Sequence, residues 1–181
     1  MILVVSHADD VHAAAVLAAL RRRGAPARLL DVSRFPRRLR LTLTRGEGAD
    51  GDVLVPARDA PLRLDALTAV WWRRPLPFVL HDELDGEERR IFAWREGREA
   101  MSGMWQSLDV RWVNHPVRDD AAARKPWQLA VATRVGLRVP RTCITTDPRR
   151  ARAFLASLGP RRAVVKALQA TRADWRPTRL L

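Results

Sequence analysis

The sequence contains no tyrosine, one cysteine and only two lysines. Cys143, alone, can form neither an internal disulfide nor a cysteine-based zinc site. No apolar run approaches the roughly 20 residues that cross a bilayer, so no membrane partner is expected. The opening Met1-Ile-Leu-Val-Val-Ser lacks the basic start and small-residue cleavage site of a signal peptide. These absences point to a soluble cytoplasmic protein. The turn after the first apolar run, Ser6-His7-Ala8-Asp9-Asp10, has no glycine, which excludes a dinucleotide fingerprint and a P-loop. There is no H-E-x-x-H and no G-x-S-x-G. Of His7, His12, His81 and His115, only the first two lie close in sequence, at i, i+5, a poor spacing for one helical face. They read as surface or loop histidines.

What is abundant is arginine. The chain carries a net charge of +13, which raises nucleic acid as a partner. The charge is scattered, however, in clusters such as Arg21-Arg22-Arg23, Arg73-Arg74 and Arg149-Arg150. Most of these fall at predicted helix ends or turns, where cations complement the helix dipole or face water. With so much alanine, the bias fits a GC-rich coding sequence better than a nucleic-acid interface. A hydrophobic content of 47% is enough for a packed core.

The pattern along the chain is that of an α/β protein. Residues 2–5 suit a strand buried on both faces, as in a parallel sheet. A helix is predicted over 10–23, opened by Asp9 and Asp10, with Val11, Ala14, Ala15, Leu17, Ala18 and Leu20 as its apolar stripe and Gly24 beyond its end. A second strand over 27–30 completes a βαβ unit. Leu39, Leu41 and Leu43 alternate with polar residues, and residues 52–55 return as a strand, an antiparallel excursion. A further strand spans 67–73. A long helix over 83–108 carries Ile91, Trp94, Met101, Met104, Trp105 and Leu108 on one face. After a short strand at 111–113, Asn114-His115-Pro116 breaks the chain. Then come a helix over 119–135, a strand over 141–145 holding Cys143 as a buried inert thiol, a helix over 147–158 and a strand over 161–167.

Two segments could carry chemistry. In Val70-Trp71-Trp72-Arg73-Arg74-Pro75 the adjacent tryptophans must point to opposite faces of a strand, and the arginines leave its C-terminal end. Ligands bind at that edge of open α/β sheets, though a plain cationic exit turn accounts equally well for the segment. The second is the lysine pair. Lys125 opens the apolar part of a helix and Lys166 ends a strand that reads as buried. An ammonium there needs water or an anion, and as a compact charge it suits phosphate. Two solvent-facing cations are the alternative.

Asn114-His115-Pro116, Lys125, Gln128-Leu129, Gly136-Leu137, Val139-Pro140, Asp147-Pro148 and Val164-Val165-Lys166 together resemble the entry into an ATP-grasp domain. Upstream, Asp31, Phe35-Pro36 and the Trp71-Trp72-Arg73-Arg74-Pro75 run resemble the pre-ATP-grasp domain of the microviridin-type ribosomal peptide maturases, the graspetide ligases. The resemblance extends to about Leu168. It implies a Rossmann-like pre-ATP-grasp domain with a parallel sheet and an antiparallel hairpin over 1–116, the start of an incomplete ATP-grasp domain over 117–168, and a basic, disordered tail over 169–181. Members of that family use ATP and Mg²⁺ to activate a carboxylate of a precursor peptide as an acyl-phosphate, which a Ser, Thr or Lys side chain of the same peptide attacks. Lys125 and Lys166 would contact nucleotide phosphates. Trp72, Arg73 and Arg74 would face the substrate cleft.

The resemblance implies late carboxylate and amide ligands for Mg²⁺, and residues 170–181 hold no glycine and one acid. No catalytic or metal-ligating residue is therefore assigned. The expectation is an N-terminal fragment, a truncation, frameshift remnant or half of a split enzyme, inactive without a separate C-terminal ATP-grasp half. Two other classes remain: a peptide- or partner-binding module that uses no ATP, and a basic nucleic-acid-binding protein.

Overall fold

The structure, a computed structural model, describes residues 1–48, 51–159, 163–168 and 179–180. The chain divides into two compact units, Met1–Pro116 and Val117–Leu181.

The first unit is built on a four-stranded parallel sheet of β1 (Ile2–Val5), β2 (Ala27–Leu30), β6 (Ala69–Trp72) and β7 (Arg111–Val113), in the order β2-β1-β6-β7. β1 is central and has apolar residues on both faces, which is why it shows no alternation. Leu3 and Val5 enter one buried cluster, Val4 the other. α1 (Val11–Arg22) covers the Val4 face through Ala13 and Leu17. The apolar stripe is therefore rotated from the expected one: Val11 is 73% exposed and Ala14 and Ala15 face solvent. Alanine is too small to define a helix face by hydrophobicity, and Leu17 sets the orientation. Gly24 follows at φ +67°, the left-handed conformation that lets α1 end in a tight turn without a Cβ clash.

The antiparallel excursion is a separate three-stranded sheet, β3 (Leu39–Thr42), β4 (Val53–Pro56) and β5 (Leu62–Arg63), in that order. Its third strand was not foreseen, because two residues carry no period. Leu39, Leu54 and Leu62 are almost wholly buried and join the same cluster as Leu3 and Val5. Over that cluster lies α2 (Glu87–Ser107), which buries Met101, Met104 and Trp105. Its N-terminal half departs from the predicted face: Ile91 and Trp94 are about 40% exposed. Near its middle a Cβ on Gly97 would lie 3.0 Å from Phe35 and 3.3 Å from Phe78, so any side chain there would press these rings aside by a few tenths of an ångström.

The second unit contains α3 (Pro116–Ala123), α4 (Lys125–Arg134), α5 (Pro148–Ala156), β8 (Val164–Val165) and β9 (Arg179–Leu180). α3 opens on Pro116, the last residue of the first unit. The helix expected over 119–135 is two helices. Pro126 is tolerated in a first turn and would break the interior of a longer helix, so Arg124 is extended and α4 restarts at Lys125. α5 begins as predicted, with Asp147 Oδ1 accepting from the Arg149 N–H and Pro148 at its first position. Residues 141–145 form no strand, and Cys143 is exposed rather than buried. Arg141 instead donates to Ser157 O and Oγ at 3.2 and 2.8 Å and lies over the Phe154 ring. The strand expected over 161–167 is reduced to Val164–Val165, both about half exposed, and residues 161–162 lie outside the described residues. Of the tail expected to be disordered, Arg179–Leu180 pairs antiparallel with β8, and the rest lies outside the described residues. Among the described residues of α3, α4 and α5 none is buried. No helix among the described residues is long and apolar enough to cross a membrane.

Three outcomes follow from this architecture. Met104→Ala should lower unfolding free energy by about 2–5 kcal/mol in urea titration, the range for emptying a buried site. Phe92→Ala, at a residue 66% exposed, should stay within about 0.5 kcal/mol of the parent. Limited proteolysis should release a core ending near Arg118; a first cut within 84–108 would contradict independent folding of residues 1–116.

Candidate functional site

Parallel strands all end on the same edge of a sheet, so β1, β6 and β7 deliver Ser6-His7, Arg73-Arg74 and Asn114-His115 to one side. The organising group there is Asp10. It is buried, and its Oδ1 accepts from the N–H groups of His12 and Ala13 at 3.0 and 3.2 Å, capping α1. Its Oδ2 accepts from the Ser6 hydroxyl at 2.7 Å and lies 3.4 Å from Arg73 Nε. The Arg73 backbone N–H continues the ladder to Val5 O at 3.0 Å. Its guanidinium stands 6.0 Å from the centre of the Trp71 ring. One arginine is thus held by its backbone, a carboxylate and an aromatic face. Its Nε and the Nδ1 of His7 are buried without a hydrogen-bond partner. Arg74 is exposed.

The two tryptophans separate as the strand requires. Trp71 packs beside Val4, Ala13 and Leu17. Trp72 packs on the opposite face, where Trp105 lies edge-on at 5.5 Å and Trp105 in turn meets Trp112 at 6.3 Å. Of the three expected cleft residues, Arg73 and Arg74 follow the C-terminal end of β6, while Trp72 is half-buried and packs against the cluster under α2. Sequence reasoning missed Ser6, His7 and Asp10 as parts of this edge. An Asp four residues after a serine that ends a buried strand was the available signal.

The Asp10 carboxyl is lowered from 3.8 to about 2, first by the Ser6 hydrogen bond, then by the Ala13 and His12 N–H groups and the Arg73 charge, against the opposing effect of burial. A carboxylate whose folded pKa lies below its unfolded value adds stability that is complete above the unfolded pKa. That stability is lost as pH falls through the folded one. Acid titration of the melting temperature should therefore show a loss between about pH 4 and pH 2, and Asp10→Asn should be less stable at neutral pH and flatter across that window. An unchanged acid limb in Asp10→Asn would remove Asp10 from its organising role.

In the second unit, Lys125 is the first residue of α4, a helix with no side-chain N-cap. A cation there opposes the helix dipole and, with the uncapped N–H groups, makes an electropositive end. Lys125 Nζ donates to Leu168 O at 2.6 Å. Lys166 directly follows β8 and is exposed. The hydrogen bond thus brings Lys125 to a position two residues along the chain from Lys166. Among the described residues no group of three or more His, Cys, Asp or Glu could hold a metal ion, so no Mg²⁺ ligand is assigned.

Comparison with known proteins places this geometry. The family model "MvdD pre-ATP grasp domain" matches residues 1–120. Comparison with curated protein sequences gives no match. Among solved structures, the macrocyclase MdnC from Microcystis aeruginosa MRC, bound with precursor peptide MdnA, is 27% identical with a TM-score of 0.85, and the match covers 99% of this chain and 57% of that one. The macrocyclase MdnB from the same source is 26% identical with a TM-score of 0.82, over 99% and 59%. The ATP-grasp ligase PsnB, complexed with a minimal precursor, is 30% identical with a TM-score of 0.74, over 99% and 56%. PsnB has also been crystallised with minimal precursor, Mg and ADP. The chain spans just over half the length of these relatives. Its first unit, with the parallel sheet, the Asp10–Arg73 edge and the antiparallel excursion, is a pre-ATP-grasp domain, and the chain belongs to the MvdD pre-ATP-grasp family.

Proposed function

We propose that this chain is the N-terminal part of an ATP-grasp ligase that closes ester or amide links within a ribosomal peptide. The observation that carries the reading is the match of residues 1–120 to the MvdD pre-ATP-grasp domain, and the hydrogen bond from Lys125 to Leu168 O ties the start of α4 to a residue two positions after Lys166. Lys125 and Lys166 would take the nucleotide phosphates; an ammonium neutralises phosphate as a point charge. Arg73 and Arg74 would take substrate carboxylates at the sheet edge, Arg73 being held in place by Asp10. ATP with Mg²⁺ would supply the phosphoryl group that converts a precursor carboxylate into an acyl-phosphate. The partners on this reading are a precursor peptide and a C-terminal ATP-grasp half. The relatives MdnC and PsnB were each solved with such a precursor peptide.

Two lysines do not make a nucleotide site. Exposed charge pairs contribute about 0–1 kcal/mol each, against roughly 6–8 kcal/mol for tens-of-micromolar to micromolar binding. The chain alone should therefore show no ATP-dependent ligation. In calorimetry with MgATP it should bind with a Kd of about 1 mM or weaker. Adding a C-terminal ATP-grasp half as a separate polypeptide should bring micromolar binding, and Lys125→Ala and Lys166→Ala should each weaken it by about tenfold or more. Micromolar binding indifferent to both variants would overturn the lysine assignment. Flat titrations in every arm, together with peptide binding in the absence of nucleotide, would favour a peptide-binding module. Steep salt-dependent binding to random DNA would favour nucleic acid instead.

A further inference from the structure

We infer that the open edge of β2 is a docking site for an extended acidic peptide. β2 ends the parallel sheet and pairs with β1 alone. The carbonyls of Pro26 and Leu30 accept from Ile2 and Ser6. Alternation along a strand then turns the N–H and C=O groups of Ala27 and Leu29 to the outer edge. Among the described residues no backbone group pairs with them.

That edge forms one wall of a cleft of about 350 Å³, with Leu39 and Pro56 of the antiparallel sheet also lining it. The charged lining is four arginines, Arg21, Arg28, Arg34 and Arg38, against Asp31 and Asp59. Two of the arginines are engaged. Arg28 donates to the carbonyls of Ala60 and Pro61 at 2.7 and 3.2 Å, bracing the loop before β5, and Arg34 Nε lies 3.5 Å from Asp31 Oδ2. The exposed side chains of Arg21 and Arg38 have no hydrogen-bond or ion-pair partner among the described residues.

The chemistry of this cleft selects its occupant. Its size is at the lower end of ligand clefts, roughly 300 Å³ upward, and suits a short stretch of chain. A phosphate group could satisfy the arginines and the outward N–H groups, but as an acceptor it would leave the Ala27 and Leu29 carbonyls without donors. A peptide strand supplies donors and acceptors in the alternation that the edge presents. Carboxylates on that strand match Arg21 and Arg38. The same arginines repel another copy of this cationic chain, a common protection of open edges, so the edge discriminates by charge. Neither Lys125 nor Lys166 takes part, and the inference stands independently of the ligase reading.

The test is fluorescence anisotropy of the full chain, at low salt, with a labelled peptide of alternating Glu and Val. The Glu peptide should bind. Replacing Glu by Gln, or N-methylating the backbone at alternate residues, should each weaken binding about tenfold or more. Arg21→Gln/Arg38→Gln should have a similar effect with an unchanged melting curve, and Lys125→Ala/Lys166→Ala should have none. Equal binding of the Gln peptide, or binding that survives N-methylation in both registers, would overturn the proposal. So would displacement of the peptide by pyrophosphate or single-stranded DNA at lower concentration than by unlabelled peptide. If the double arginine variant fails to fold, the Glu, Gln and N-methyl peptides still decide the matter on the unaltered chain.

Discussion

Asp10 joins three elements that would otherwise be only neighbours. One oxygen holds the first turn of α1, and the other accepts from the end of β1 and faces the arginine that leaves β6. A buried carboxylate is tolerated only when its lone pairs are used and its charge is matched, and here both conditions are met. The consequence reaches Arg73. A free arginine samples many rotamers, so fixing it for recognition carries an entropy cost at the moment of binding. With its ion pair to Asp10 and its approach to Trp71, part of that ordering is complete before any ligand arrives.

On the proposed reading, the same strand serves stability and recognition by dividing them between its faces and its end. Val70 and Trp72 belong to the cluster under α2, and Trp71 to the cluster under α1. Only after the strand stops can Arg73 and Arg74 reach the sheet edge. Moving the register by one residue would exchange the two tryptophans and direct each into a cluster shaped for the other. The packing of Trp72 on Trp105 therefore positions the arginines without touching a ligand.

The first unit was largely legible because its elements are long or strongly patterned. An unalternating β1, the Asp10 cap with Gly24 beyond the helix, and the Met101, Met104 and Trp105 face each reflect a single strong constraint. The failures share a cause as well. In α1 the alanines dilute the apolar signal. At Pro126 a local backbone rule overrode a continuous helical pattern. At 141–145, β-branched residues suggested a strand, but strand propensity is realised only where a partner strand lies alongside, as β9 does beside Val164–Val165. The site divides in the same way: Arg73 and Arg74 were readable as the residues that must follow a buried strand. The involvement of Ser6 and His7 depends on which strands become neighbours, which spacing within one strand does not encode.

This dependence on neighbours also governs the lysines. Lys125 has three donors, and one is committed to Leu168 O. Two remain for an anion, so the contact orients the ammonium without exhausting it. Lys166 follows a two-residue strand whose valines are half exposed, so its position depends on a ladder with little packing to reinforce it. Electrostatic stabilisation of phosphate is effective when the cations are already in place and water is excluded. The described part of the second unit provides the first condition for one lysine only. Arg73 at the sheet edge is preorganised by a buried carboxylate, whereas the half-buried Lys125 and the exposed Lys166 require further packing before their charge can act with comparable strength.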